Sequence, residues 1–304
     1  MYEVVMNVTN IDGMIVSHTI PHILRTHKDT ISRLTVVIDE RKRTGRLQAA
    51  ETKHDVVRTL DEIASAAGST AINVVRLDYP QAKTTMRRWF GNERVAARCA
   101  GGTPLLAFLF GMDQASAAYV LRTDCDMIYF DASPSGWLTD ARRLLDDYPD
   151  IYFVNPHLGP PGGSDSNGIT AEKGGAGLRL SHAFSTRCFL YKRSKLEALI
   201  PLVRAMHPFP KRVQYFAQGR SGERALEESI AMTLKARGTY RCDLEPSSAI
   251  AIHVAHRRRF AEAGFESIVC DVEHGRFPEC QAGDHNLSDE WTSPRKFAGE
   301  NGAT

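Results

Sequence analysis

Two carboxylates one residue apart, Asp124 and Asp126, follow the apolar run Tyr119-Val-Leu-Arg-Thr123 and precede Met127-Ile-Tyr-Phe130. Alternate residues of an extended chain point to one side, so the spacing predicts both carboxylates on one face with Cys125 turned away. Hard oxygen ligands so placed suit Mg²⁺ or Mn²⁺, which in turn would bridge the diphosphate of a nucleotide. A third acid comes from Gly222 to Gly238, a segment patterned as a helix closed by glycine. Leu226, Ile230 and Leu234 form its apolar stripe, Glu227 borders that stripe and Glu228 points well away. A carboxylate at the edge of a buried face can take the proton of a hydroxyl that attacks in a cleft, which makes Glu227 the candidate general base and Glu228 its alternative. Without a neighbouring acidic pair, both would read as acids favouring a helix N-terminus. In Ala249-Ile-Ala-Ile-His253 the isoleucines take one side of a strand, while Ala251 and His253 take the other. Small neighbours leave that imidazole room to join Asp126 on a metal ion, with His256 as the alternative. Arg257, the first of three consecutive arginines, is a candidate for neutralising a diphosphate, although such a run is more often a solvated surface.

The elements that must position these groups alternate. Val4 to Val8 reads as a strand, Met14 to His27 as a helix, Arg33 to Glu40 as a strand, His54 to Ala67 as a helix and Ile72 to Leu77 as a third strand. A basic, aromatic connection at Arg87-Arg88-Trp89-Phe90 precedes a long helix from Asn92 to Asp113, with breaks suggested at Gly101-Gly102 and Pro104. Ala118 to Thr123 is the fourth strand. This order predicts a mostly parallel α/β sheet, whose ligands gather at the carboxyl ends of the strands. Thr9-Asn10-Ile11-Asp12, Asp39-Glu40, Asp78 and the Asp124-Asp126 pair all fall there. Asp12 and Asp78 serve equally well as caps of the next helix. Further on, the pattern predicts a strand at Ile151 to Asn155, a strand pair or bent strand from Ser181 to Tyr191, a helix from Ser194 to Met206 and a strand from Ala249 to Val254. Leu158 to Leu178 is rich in glycine, as a loop closing over a ligand would be. The expected organisation is a nucleotide-binding half over 1–131, an acceptor-binding and catalytic half over 132–284, and a loose polar tail over 285–304. Trp137, Phe184, Tyr215 and Phe216 could stack on an acceptor but read more naturally as core.

Composition bounds the function classes. Of the 304 residues, 42% are apolar, enough for a large core, and 38 Lys+Arg against 36 Asp+Glu leave a net charge of +2. So balanced a chain is no general binder of nucleic acid or anionic membrane, and anion binding must be local. No apolar run approaches the roughly 20 residues that span a bilayer, and no leader is legible at the N-terminus. The six cysteines form no CxxC. They read as reduced thiols of a cytoplasmic protein.

In element order over residues 1 to 260 the chain resembles the GT-A glycosyltransferases, particularly the inverting, family 2-like members. The correspondence rests on Val4 to Asn10, Asp39, Asp124-Cys125-Asp126, Glu227-Glu228 and His253. It implies a GT-A-like fold with a Rossmann-like N-terminal half and an abutting acceptor-binding half. It also implies transfer of a sugar from a nucleotide-sugar donor to an acceptor hydroxyl of a small molecule or glycan, with Mn²⁺ or Mg²⁺ as cofactor. Thr9, Asn10 and Asp39 would line the base and ribose pocket, Asp124 would meet ribose or metal-bound water, and Asp126 would bind the metal directly. Cys125 and Arg257 complete the expected nucleotide-sugar contacts. The family's acid-rich turn is replaced here by Asp39-Glu40-Arg41-Lys42-Arg43. Other readings of the same pattern are a sugar-phosphate nucleotidyltransferase and a non-catalytic nucleotide-sugar or carbohydrate-binding protein.

Overall fold

The computed structural model describes residues 1–9, 12–40, 55–67, 70–162, 178–245, 247–254 and 264–292. Asn10, Arg41 to Arg43, the loop segment 163–177, His256, Arg257 and the last twelve residues, all named in the sequence reading, lie outside them.

Strands β1 (Tyr2–Thr9), β2 (Ile31–Asp39), β3 (Ala71–Arg76) and β4 (Tyr119–Asp124) pair in parallel in the order β3-β2-β1-β4. They are joined by α1 (Gly13–Thr26), α2 (Val56–Ala66), α3 (Ala82–Phe90) and α4 (Leu105–Gln114). The sheet continues through β9 (Cys188–Lys192), β6 (Ile151–Asn155), β10 (Tyr240–Asp243) and β8 (Arg179–Ser181). β9 runs antiparallel between β4 and β6, while β6 and β10 are parallel to each other. The carboxyl ends of β1, β2, β4, β6 and β10 therefore share one edge, and strands from both expected halves build one sheet.

Alternation along each strand divides the core. Val4, Met6 and Val8 of β1 meet α1, α2 and α5 (Trp137–Asp147) on one face. On the other face Val5, Val120 and Phe153 meet α3, α4, α6 (Arg193–Leu199) and α8 (Leu226–Arg237). The predicted stripe Leu226, Ile230 and Leu234 is fully packed there. A small second sheet, β5 (Met127–Asp131), β11 (Ala249–His253) and β7 (His157–Leu158), lies against α9 (Phe265–Glu273). Two further helices, α7 (Phe209–Ala217) and α10 (Asp289–Thr292), complete the described chain.

Several expected elements change shape. The helix foreseen from Asn92 begins only at Leu105, because Pro104 stands at its N-cap and Gly102 takes a positive φ. Arg87 to Phe90 is the last turn of α3 rather than a connection. The helix foreseen to Met206 stops at Leu199, since Pro201 disfavours helical backbone at the residue before it. The Ser181 to Tyr191 pair is not a pair: β8 bonds to β10, and β9 sits between β4 and β6. Residues 285–292 are not loose, for Leu287 and Trp291 are buried in the core beside α9.

Candidate functional site

β4 and β5 belong to different sheets, so the chain must turn between them. Asp124 ends β4, and Cys125-Asp126 forms that turn. The strand expected to carry both acids therefore ends between them: Asp124 closes β4, and Asp126 lies in the turn that leads into the small sheet. β11 brings His253 to it, because His253 lies opposite Met127 in the antiparallel β5–β11 ladder and Val254 N donates to the Asp126 carbonyl at 2.7 Å. His253 Nε2 stands 3.4 Å from Asp126 Oδ2. Its Nδ1 lies 2.9 Å from Asn286 Oδ1. An amide oxygen only accepts, so Nδ1 donates a hydrogen bond to Asn286, and Nε2 faces the carboxylate. With Nε2 unprotonated, the two groups would offer lone pairs to a cation between them. Their separation is also close to that of two adjacent ligands on one octahedral ion, about 3 Å when each lies ~2.1 Å from the metal. Among the described residues no third His, Cys, Asp or Glu joins such a group. The pair would thus leave most of a cation's coordination sphere to diphosphate and water.

Asp124 lies beside Asn7 in the β1–β4 register, at the point where the strand order reverses direction. Its Oδ1 accepts from Arg122 Nη2 at 3.0 Å, and it also feels the charges of Asp126 and His253. Burial pushes its carboxyl up to about 6 against the pull of that guanidinium. Arg122 is fully buried, with its guanidinium 4.1 Å from the centre of the Phe108 ring. Among the described residues its Nε and Nη1, like both amide atoms of Asn7, have no hydrogen-bond partner. Cys125 departs from its expected nucleotide contact. Its side chain is buried in the core beneath α1, and its carbonyl accepts from Thr19 Oγ1 at 2.7 Å.

Thr9 and Asp39 are register partners at the ends of β1 and β2. Asp12 stands at the N-cap of α1 but caps it through its carbonyl, which accepts from Val16 N at 3.0 Å; its Oδ2 accepts from both N and Oγ1 of Thr9 at 2.8 Å. Asp39 is buried, and its two oxygens accept from Tyr79 Oη and Arg98 Nη2, each at 2.8 Å. Burial and the adjoining Asp39 raise the Tyr79 hydroxyl above its ordinary pKa. The Asp39 pocket is therefore built as a charged network reaching from β2 to the segment before α4.

The three acids near the start of α8 have different fates. Glu223 is buried and held by Arg204 through both its oxygens. Glu228 pairs with Arg224. Among the described residues Glu227 accepts from Thr186 Oγ1 alone, at 2.5 Å on Oε1, and Oε2 is buried without a partner there. Thr186 directly precedes Arg187, whose carbonyl accepts from Asp124 N at 2.7 Å. Of the three, Glu227 is the one with no arginine among its partners in the described residues. Arg122, Thr186, Arg98, Tyr79 and Asn286 were not foreseen as parts of the site. Only Arg122 carried a signal, as the one charge within the apolar fourth strand. Trp137 and Phe184 are core, as expected.

Neither a protein-family model nor a curated protein matches the sequence. Solved structures do resemble the fold. GalNAc-T7, solved with UDP, GalNAc and Mn²⁺, matches with a TM-score of 0.52 at 13% identity over 84% of this chain and 44% of its own. The galactosyltransferase LgtC, solved with donor and acceptor sugar analogs, matches with a TM-score of 0.43 at 11% identity over 96% of this chain and 99% of its own. TarS 1-349 of S. aureus matches with a TM-score of 0.45 at 12% identity over 82% and 59%. What GalNAc-T7 shares with this chain is the fold, a GT-A-like α/β architecture around a large, mostly parallel sheet.

Proposed function

We propose that the chain is a metal-dependent glycosyltransferase that moves a sugar from a nucleotide-sugar donor to an acceptor hydroxyl with inversion. The reading is carried by one observation: Asp126 and His253, from different elements, face each other at the ligand edge of a GT-A-like sheet. The UDP and Mn²⁺ solved with GalNAc-T7 are in keeping with it.

Asp126 and His253 would hold Mn²⁺ or Mg²⁺, which supplies positive charge to the diphosphate leaving group. Thr9 and Asp39 line the base and ribose side, and Asp124, fixed by Arg122, faces the ribose. Asn10 and Arg257 remain proposed donor contacts from the sequence reading. Glu227 accepts the proton of the acceptor hydroxyl as that oxygen bonds to the anomeric carbon and the bond from that carbon to the diphosphate oxygen breaks. The nucleoside diphosphate leaves with the bond electrons, and the proton stays on Glu227 until solvent takes it. Attack opposite the leaving group inverts the anomeric centre.

Calorimetric titration of UDP and of GDP, each with and without Mn²⁺, tests this reading. Binding that requires Mn²⁺ in the wild type and is lost in Asp126→Ala and His253→Ala supports it. Equal Mn²⁺-dependent affinity in wild type and Asp126→Ala refutes it.

A further inference from the structure

Removing a guanidinium from water without giving it a partner is costly, so an arginine that is not exposed ordinarily meets a carboxylate or an aromatic ring. The described arginines follow that rule with one exception. Most of those not exposed lie on a carboxylate, as Arg98 does on Asp39, Arg122 on Asp124 and Arg241 on Asp243, and Arg212 lies over the Phe209 ring. Arg187 is half-buried, and among the described residues its guanidinium has no carboxylate, carbonyl or ring upon it. Asp124 and Glu227, the acids that its own segment touches, are held by Arg122 and Thr186 instead.

The backbone fixes where this cation sits. The Arg187 carbonyl accepts from Asp124 N at 2.7 Å, which ties the residue to the acidic end of β4. Thr186 before it bonds Glu227, and Cys188 after it lies opposite Thr123 in the β4–β9 ladder. The charge of Arg187 reaches His285, an imidazole held below its ordinary pKa by burial first and by Arg187 next. The His285 carbonyl accepts from His253 N at 2.8 Å, so the field of the guanidinium falls on the segment that backs the His253–Asp126 pair. An unpaired, permanently charged fork of N–H donors at the ligand edge of the sheet is suited to phosphate oxygens.

From this placement we propose that Arg187 binds the diphosphate of the nucleotide, alongside the cation held by Asp126 and His253. The inference rests on the nucleotide-sugar reading above. As the bond between the anomeric carbon and the diphosphate oxygen breaks, its electron pair stays on that oxygen, and the guanidinium meets the negative charge that gathers there. No proton moves, because arginine stays protonated. An anionic acceptor fits the arrangement less well, since it is Thr186 rather than Arg187 that meets Glu227, where the acceptor hydroxyl gives up its proton.

Calorimetric titration of the full chain in Mn²⁺ tests it, with inorganic diphosphate, UDP and GDP as the probes. Arg187→Ala should weaken diphosphate binding, and with it nucleotide binding, by about tenfold or more. Arg187→Lys, which keeps the charge but not the fork, should fall between that variant and the wild type. Tm should not drop in either, because no carboxylate loses its partner. Equal affinity of the wild type and Arg187→Ala for inorganic diphosphate overturns the inference, as does a wild type that binds none of the probes. Failure of the transferase reading looks different: inorganic diphosphate still binds through Arg187, but neither UDP nor GDP binds the wild type.

Discussion

His27, just beyond the end of α1, gives the fold an acid-sensitive group whose effect can be worked out. It is 3% exposed, its Nε2 has no hydrogen-bond partner among the described residues, and its ring lies against Tyr129 and Trp137. Burial, with a smaller push from His22, lowers its pKa from 6.5 to about 3. The unfolded chain therefore binds a proton at this position throughout the interval from 6.5 down to about 3, where the folded chain does not. The stabilisation is complete above pH 6.5 and is lost as pH falls toward about 3. At about 1.4 kcal/mol for each pH unit, the loss between pH 7 and pH 5 is about 2 kcal/mol, and the full loss is about 5 kcal/mol. His27→Phe removes the titration and keeps an aromatic ring against Trp137. A small cavity of about 150 Å³, lined by His27, Asp131 and Leu138 among others, gives the larger ring room. Urea unfolding of both proteins at pH 7 and pH 5 is the assay. The difference in stability between the two pH values should be smaller in the variant by about 2 kcal/mol, since every other titrating group is common to both. The same pH dependence in both proteins would refute the buried neutral state.

Glu227→Gln should keep donor binding and lose turnover by roughly 10²–10⁴-fold, while Glu228→Gln, a residue paired with Arg224, should stay near wild type; steady-state transfer or donor hydrolysis decides between them. Asn286→Ala should weaken Mn²⁺-dependent UDP binding by about 10–100-fold by releasing the His253 tautomer, and Asn286→Asp, which also accepts from Nδ1, should restore it in the same calorimetric titration. Gly111→Ala would put a Cβ 2.9 Å from Asn7 Oδ1 and 3.2 Å from Val5 Cγ1, so α4 must move off β1; urea unfolding should show a loss of about 1–3 kcal/mol despite alanine's better helix propensity. Arg98→Ala leaves the buried Asp39 carboxylate with Tyr79 alone of these two donors and should reduce nucleotide affinity and Tm together.

The first half of the molecule was legible because its information is local. Alternation of apolar runs with amphipathic segments specifies parallel strands, and parallel strands put Thr9, Asp39 and Asp124 at one edge whatever follows. The stripe of Leu226, Ile230 and Leu234 likewise set the face of Glu227, since helical periodicity is a property of the segment alone. Other features depended on contacts between distant residues. Periodicity says nothing of which strand β9 will lie beside, so its insertion between β4 and β6, and with it the approach of Thr186 to Glu227, came only from the packed sheet. The turn at Cys125-Asp126 breaks the strand that would have carried both carboxylates, because β4 and β5 satisfy their backbone bonds in different sheets. Asn286 gave no signal: it lies in a polar stretch whose fate is decided by Gln281, fully buried, which donates to the carbonyls of Asp284 and Asn286 at 2.8 and 2.9 Å. Residue types and spacing thus supplied the chemistry at the sheet's edge, while long-range hydrogen bonding and burial decided which of those groups face one another.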